Sequence, residues 1–310
     1  MFLCPPTFLS WSQQEPKVMT AMCKDPEMIK AYHEGKDLYA SIASLAFNKP
    51  YEDCLEFRPD GTTNKEGKER RASAKSILLG ILYGRGINSI AEQLHTTKQK
   101  AQVIQNKVFQ GFPAIKQFEQ DTIEMAENYG FVTTFWGRKR RLPDMQLPEF
   151  EFKWKPGYGD VDPLSFDEVV GEVEVPESIQ AKYIRKLRQN PFKKRGIYEE
   201  AANDGIIITD NGGKIADANR QCVNSRIQGS AADMTKIAGA IINSNPRLKE
   251  LGFRLLVPIH DEFLGECPEE NREECEKLFS ECMCSAAKDL NLPISVDVEV
   301  TKQWYGESIK

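Results

Sequence analysis

Residues 65–83, apolar toward their end, read as a helix, and over residues 90–109 and 114–129 apolar residues recur in three- and four-residue steps, the spacing that gathers them on one face of a helix. Gly84-Arg85-Gly86 follows the first stretch and Gly130 the last, and glycine permits the left-handed backbone at a helix C-terminus. The pattern also predicts a long helix over 217–242, with Gly229 inside it, and an amphipathic helix over 269–290. Residues 253–265 read as a β-hairpin, because apolar runs flank His260-Asp261. Ile294, Val296, Val298 and Val300 alternate with polar residues, as on a half-buried strand. There is no internal repeat, and separate helical and strand stretches place the chain in the α+β class.

Charge breaks this regularity at one place. Between Glu149 and Glu177 acidic residues crowd together against only Lys153 and Lys155, among Pro148, Pro156, Pro163 and Pro176. A basic run follows at once, from Lys182 through Arg185, Lys186, Arg188, Lys193 and Lys194 to Arg195. Blocks of charge with prolines predict an irregular charged insertion over 146–213.

Composition bounds the rest. A chain of 310 residues, 40% apolar and 28% charged, can bury a large core, which excludes pervasive disorder and low complexity. No stretch has the roughly 18–20 apolar residues of a membrane helix, and residues 1–10 lack the basic start of a signal peptide, so no membrane partner is expected. The eight cysteines form no CxxC pair and none of the three histidines lies near their C-terminal cluster. Reduced thiols are therefore expected, not a zinc site. The net charge of −5 by itself argues against a nucleic-acid partner, which usually leaves a basic footprint.

Three local patterns carry candidate chemistry. Arg71, Lys75, Leu79 and Tyr83 fall in four-residue steps on one helix stripe. Two cations one turn apart can grip a polyphosphate and a ring beyond them can stack on a base, although a solvated basic face would show the same spacing. In the hairpin, Asp261 and Glu262 emerge between apolar strands, where a divalent cation could offset their repulsion; the alternative is a polar turn facing water. Arg220, Asn224 and Gln228 again step by four, ahead of the small residues Gly229-Ser230-Ala231-Ala232. That edge could bond to phosphates and minor-groove base edges, or form a buried polar seam.

The ordered series SQQEP, RRASAKSILLGILYG, RQCVNSRIQGSAAD and PIHDE resembles the family A DNA polymerases, the DNA polymerase I family, and most closely their bacteriophage members. The resemblance implies a right-hand fold of helical fingers and antiparallel palm sheet, truncated at the N-terminus without thumb or exonuclease domain. It implies template-directed DNA synthesis: a primer 3′-hydroxyl attacks a deoxynucleoside triphosphate, with two Mg2+ ions as cofactors. The implied partners are primer-template DNA and deoxynucleoside triphosphates, in the cytoplasm of a phage-infected bacterial host. On the matching positions, Arg71 and Lys75 would bind the triphosphate, and Tyr83 would sit beside the templating base. Leu79 stands where an aromatic residue is usual, and Tyr39 where a His often faces phosphate. Gln13 and Glu15 would lie near the nucleotide sugar, Glu15 as a steric gate, while Arg220, Asn224, Gln228 and His260 would line the primer-template duplex.

One departure touches the chemistry. Asp261, with Glu262 beside it, matches the second metal-binding aspartate, but the first motif places Ser10 where the family carries the other, with the Trp11 backbone a further candidate ligand. A neutral hydroxyl is a poor ligand for magnesium, so weakened metal binding and an impaired chain are expected. Since the resemblance starts at Trp11, an interrupted gene is expected, with 1–10 an unrelated leader, 11–17 a palm segment, 18–145 fingers, 146–213 the insertion and 214–310 the C-terminal palm. The alternatives to an active enzyme are a catalytically inactive nucleic-acid-binding remnant and one half of a split polymerase that needs an N-terminal fragment as partner.

Overall fold

A computed structural model describes residues 6–155 and 174–301. The acidic stretch at 156–173 lies outside the described residues. The chain divides into two compact units, one of residues 1–141 and 220–310, the other of residues 142–219.

The first unit opens with strand β1 (Pro6–Trp11) and three helices, α1 (Gln14–Cys23), α2 (Pro26–His33) and α3 (Leu38–Phe47). Sequence periodicity does not single out these helices, yet their caps are plain: Asp25 accepts the Glu27 and Met28 N–H groups ahead of Pro26, and Asp37 accepts that of Ala40. Helix α4 (Lys65–Leu82) starts at Asn64, whose side chain accepts the Gly67 N–H, and ends as the backbone turns left-handed at Gly84. The single helix expected over 90–109 is in fact two, α5 (Ile87–Gln93) and α6 (Lys98–Gly111). His95 takes a positive φ of 47° and Thr97 caps α6 through the Lys100 N–H, so the chain breaks and restarts between them. Helix α7 (Pro113–Tyr129) stops at Gly130 and leads into the small hairpin of β2 (Phe131–Thr133) and β3 (Lys139–Arg141).

The second unit corrects the expectation of an irregular insertion. Strand β4 (Phe150–Trp154), helices α8 (Glu177–Gln189) and α9 (Lys194–Asn203), and strand β5 (Ile206–Asp210) enclose a core of their own, with Phe150, Tyr183, Leu187, Ile197 and Ile206 all buried. Ile179, Tyr183 and Leu187 are spaced by four, a helical stripe that the surrounding charge obscures in the sequence. The basic run is largely neutralised within the unit: Lys182 pairs with Asp204, Lys186 with Glu200, Arg188 with Glu149, Lys194 with Asp210 and Arg195 with Glu199.

Helix α10 (Gly212–Ser244) belongs to the second unit up to Asn219 and to the first from Arg220. After it come α11 (Pro246–Glu250), β6 (Arg254–Ile259), β7 (Glu262–Glu266), α12 (Arg272–Ala286) and β8 (Val296–Val300). The strands of the first unit's main sheet run β6-β7-β1-β8, with each neighbouring pair antiparallel. Strand β1 is thus an interior strand, and residues 6–10, expected to belong to an unrelated leader, lie within it, while 1–5 are outside the described residues: Pro6 to Ser10 pair with Glu266 to Glu262 on one side, and Thr7 to Trp11 with Val300 to Val296 on the other. Leu9 is fully buried, and Trp11 packs edge-on against Phe263 with ring centroids 6.0 Å apart.

Gly265, on β7 between its two partner strands, has no room for a side chain. A Cβ there would lie 2.3 Å from Phe253 Cζ, and the Phe253 ring is held by Phe279 at 4.8 Å between centroids. Gly265→Ala is therefore expected to cost about 2 kcal/mol through overpacking, read as a lowered urea midpoint. An unchanged midpoint would mean that the Phe253 ring has space to swing aside.

Candidate active site

The β6–β7 hairpin turns through His260 and Asp261 between the paired residues Ile259 and Glu262, with His260 in the left-handed region at φ 56°. The Trp11 N–H donates to the Asp261 carbonyl at 3.3 Å, which fixes the turn to the end of β1. From there Gln13, at φ 57° and ψ 47°, starts α1 and puts Glu15 in its first turn. Gln14 anchors this corner: it is buried, and its Nε2 donates to the Ala231 carbonyl at 3.1 Å and to Thr235 Oγ1 at 3.2 Å, tying α1 to α10.

Helix α4 faces this corner with its cationic stripe. Arg71 Nε donates to Asp37 Oδ2 at 2.7 Å, and the Tyr39 ring lies 5.3 Å from the guanidinium carbon. Burial pushes the Tyr39 hydroxyl well above its ordinary pKa, against the opposing pull of Arg71. Where α4 ends, Tyr83 donates its hydroxyl proton to Glu15 Oε2 at 2.6 Å. Burial, and then the bond to Glu15, push Tyr83 up to about 12, so it stays a protonated donor across the physiological range.

A cavity of about 700 Å³ opens between these elements. It gathers most of the residues singled out in the sequence: Gln13, Glu15, Tyr39, Arg71, Lys75, Leu79, Tyr83, Gln228, His260 and Asp261, with Trp11. Four others do not line it. Ser10 and Glu262 sit opposite each other on β1 and β7. Arg220 packs beside Gly84, where a Cβ would come within 3.1 Å of the Arg220 Cα, and the Asn224 Oδ1 is buried without a hydrogen-bond partner among the described residues. Two cations, Arg71 and Lys75, and three acids, Glu15, Asp261 and Asp297, line the same cavity. Such a space suits a polyanion accompanied by a hard divalent cation.

Sequence reasoning missed Asp37, Gln14, Thr235 and Asp297. Asp37 carries the signature of a helix cap, an Asp just ahead of an apolar helical run, which could have marked it. The other three depend on which strand or helix lies alongside, and nothing local records that.

Among the described residues no three His, Cys, Asp or Glu side chains converge as a ready-made metal cage. That does not disqualify magnesium, which keeps several waters and binds through one or two carboxylates plus substrate phosphates. The donors present, the Asp261 and Asp297 carboxylates in a cavity that also holds two cations for phosphates, fit it in kind.

The sequence model of DNA polymerase family A matches residues 6–155 and 177–306, and the chain belongs to that family. The match starts within β1 and takes in most of the second unit, leaving 156–176 as the unmatched stretch inside it. Among curated relatives, the thermostable DNA polymerase I of Thermus aquaticus is 26% identical over 298 residues, 96% of this chain and 26% of that protein. The DNA polymerase I of Geobacillus stearothermophilus is 27% identical over 297 residues, 95% of this chain and 25% of that one. The chain thus spans about a quarter of the length of the relatives it matches. Among solved structures, the POL domain of Pol1 from M. smegmatis, in complex with DNA primer-template and dNTP, superposes with a TM-score of 0.69 at 24% identity, over 97% of this chain and 40% of that one. The fold is that of a polymerase domain, α+β with helices beside an antiparallel sheet. No described helix is long and apolar enough to cross a membrane.

Proposed function

We propose that this chain carries out template-directed nucleotidyl transfer, adding deoxynucleotides to a primer 3′-hydroxyl. The observation that carries the reading is one cavity lined by the Arg71 and Lys75 cations, the Asp261 carboxylate and the hydrogen-bonded Tyr83–Glu15 pair. Arg71 and Lys75 hold the triphosphate, an anion that two cations one helical turn apart can grip from one side. Glu15, oriented by Tyr83, narrows the cavity where the sugar sits and disfavours a 2′-hydroxyl. Leu79 offers the nucleotide an apolar but non-aromatic surface, so it packs without stacking. Gln228 and His260 contribute polar edges toward the primer-template. Asp261 is the carboxylate toward divalent magnesium, which when bound lowers the pKa of the attacking hydroxyl and stabilises the departing pyrophosphate.

Ser10 favours two other readings. With a hydroxyl where its family carries an aspartate, the chain could bind primer-template without synthesis, or could need an N-terminal fragment to complete the site. Primer extension by the purified chain, with Mg2+ and with Mn2+ beside a DNA-binding assay, decides between them. Templated addition of the complementary nucleotide is the expected result. Binding without addition under either metal would favour the remnant reading, and synthesis restored by an N-terminal polymerase fragment the split one.

A further inference from the structure

Ser10 has two cross-strand neighbours, Glu262 on β7 and Asp297 on β8, each directly opposite it in register. Residues directly opposite on adjacent strands project from the same face with Cβ atoms about 4.5–5.5 Å apart. Glu262, Ser10 and Asp297 therefore form one row across three strands. Of the three, only Asp297 lines the cavity that Asp261 also lines.

We propose that Asp297 replaces the carboxylate missing at Ser10, so that Asp261 and Asp297 together hold the divalent cation of this site. The inference rests on the polymerase reading above and adds a ligand to it. An aspartate at position 10 would stand between Glu262 and Asp297, three like charges in a row, and like charges directly opposite are destabilising. Serine relieves that crowding and leaves Asp297 an uncharged neighbour to lean over. In effect the negative charge stands one strand along, on β8, where it lines the cavity.

The surroundings leave Asp297 available. It is solvent-exposed, and among the described residues its carboxylate takes part in no hydrogen bond or ion pair. Lys17, the cation that senses its charge, is itself buried, with Nζ 3.5 Å from Ser295 Oγ. Trp11, only 3% exposed on the same cavity, leaves its Nε1–H without an acceptor among the described residues. Two carboxylates complemented by waters and substrate phosphates meet the ordinary requirement of magnesium, whereas Asp261 alone meets its minimum.

The test is Mn2+ binding to the whole 310-residue chain, followed by electron paramagnetic resonance without DNA or nucleotide. Asp297→Asn is expected to weaken Mn2+ binding by about tenfold or more, comparably to Asp261→Asn, since even outer-shell partners of a metal are worth 10- to 100-fold. The double variant Ser10→Asp/Asp297→Asn, which returns the charge to β1, is expected to bind in the wild-type range. An Asp297→Asn chain that binds Mn2+ like wild type, or a wild-type chain that binds none, would overturn the inference. Thermal melts of each variant show that it is folded. Extension by a chain whose Mn2+ binding ignores Asp297 sinks the inference alone. Mn2+ binding that follows Asp297 in a chain that never extends a primer sinks the polymerase reading alone.

Discussion

Asp261→Asn is expected to lower primer extension on the order of 10³-fold while leaving primer-template affinity unchanged or slightly improved. Asn keeps the shape of Asp and can satisfy the same turn, whose backbone is held by the Trp11 N–H bond to the Asp261 carbonyl and not by the side chain. What disappears is a full negative charge from the lining of the cavity that also presents Arg71 and Lys75. Phosphoryl transfer asks little of the protein beyond positioning and charge, so a lost carboxylate acts on the chemical step. DNA affinity responds to the number of phosphates neutralised by cations, and removing an anion takes none of those away. A filter-binding isotherm and a single-turnover extension time course on the same preparation separate the two effects. A variant that still extends within tenfold of wild type would remove Asp261 from the reaction.

The contrast between what the chain revealed and what it concealed has a physical pattern. Helix α4 and the β6–β7 hairpin were legible because each is defined by its own residues: a four-residue stripe ended by glycine, and apolar runs on either side of a polar turn. Arg71 and Lys75 lie on the helix, Tyr83 directly follows it and Asp261 lies in the hairpin turn, and all four line the cavity. Strand β1 was not legible, because Pro6–Trp11 is a strand only through its partners on both sides, and a proline at its first residue is no local strand signal. The same non-local pairing hid Asp297, since alternation over Val296, Val298 and Val300 marks a strand without saying which residue will stand beside Ser10. The second unit was misread for the opposite reason: dense charge resembled a solvated loop, whereas five ion pairs cover two amphipathic helices and a strand pair around Tyr183 and Leu187. Net charge misled in the same way, because pairing and placement, and not the total of −5, set the field at a given face.

Arg71→Ala is expected to raise the KM for the incoming nucleotide by about 100-fold, equivalent to roughly 2.7 kcal/mol, with a smaller fall in kcat. The guanidinium has five N–H donors in a planar fork, and the bond from Nε to Asp37 Oδ2 occupies one edge. Asp37 therefore orients Arg71 without exhausting it, and the Tyr39 ring at 5.3 Å limits its swing. Two controls follow from the same geometry. Arg71→Lys keeps the charge but loses the fork and the Nε bond, so its KM should fall between those of wild type and Arg71→Ala. Asp37→Asn loses the ion pair yet can still cap α3, because the Ala40 N–H bonds to Oδ1 and the guanidinium to Oδ2. It should raise KM by only a few-fold and leave the melting temperature within a few degrees of wild type. If instead Arg71→Ala lowers stability and leaves KM alone, the Arg71–Asp37 pair is a strut between α3 and α4, and Lys75 remains as the cation of the stripe for the triphosphate.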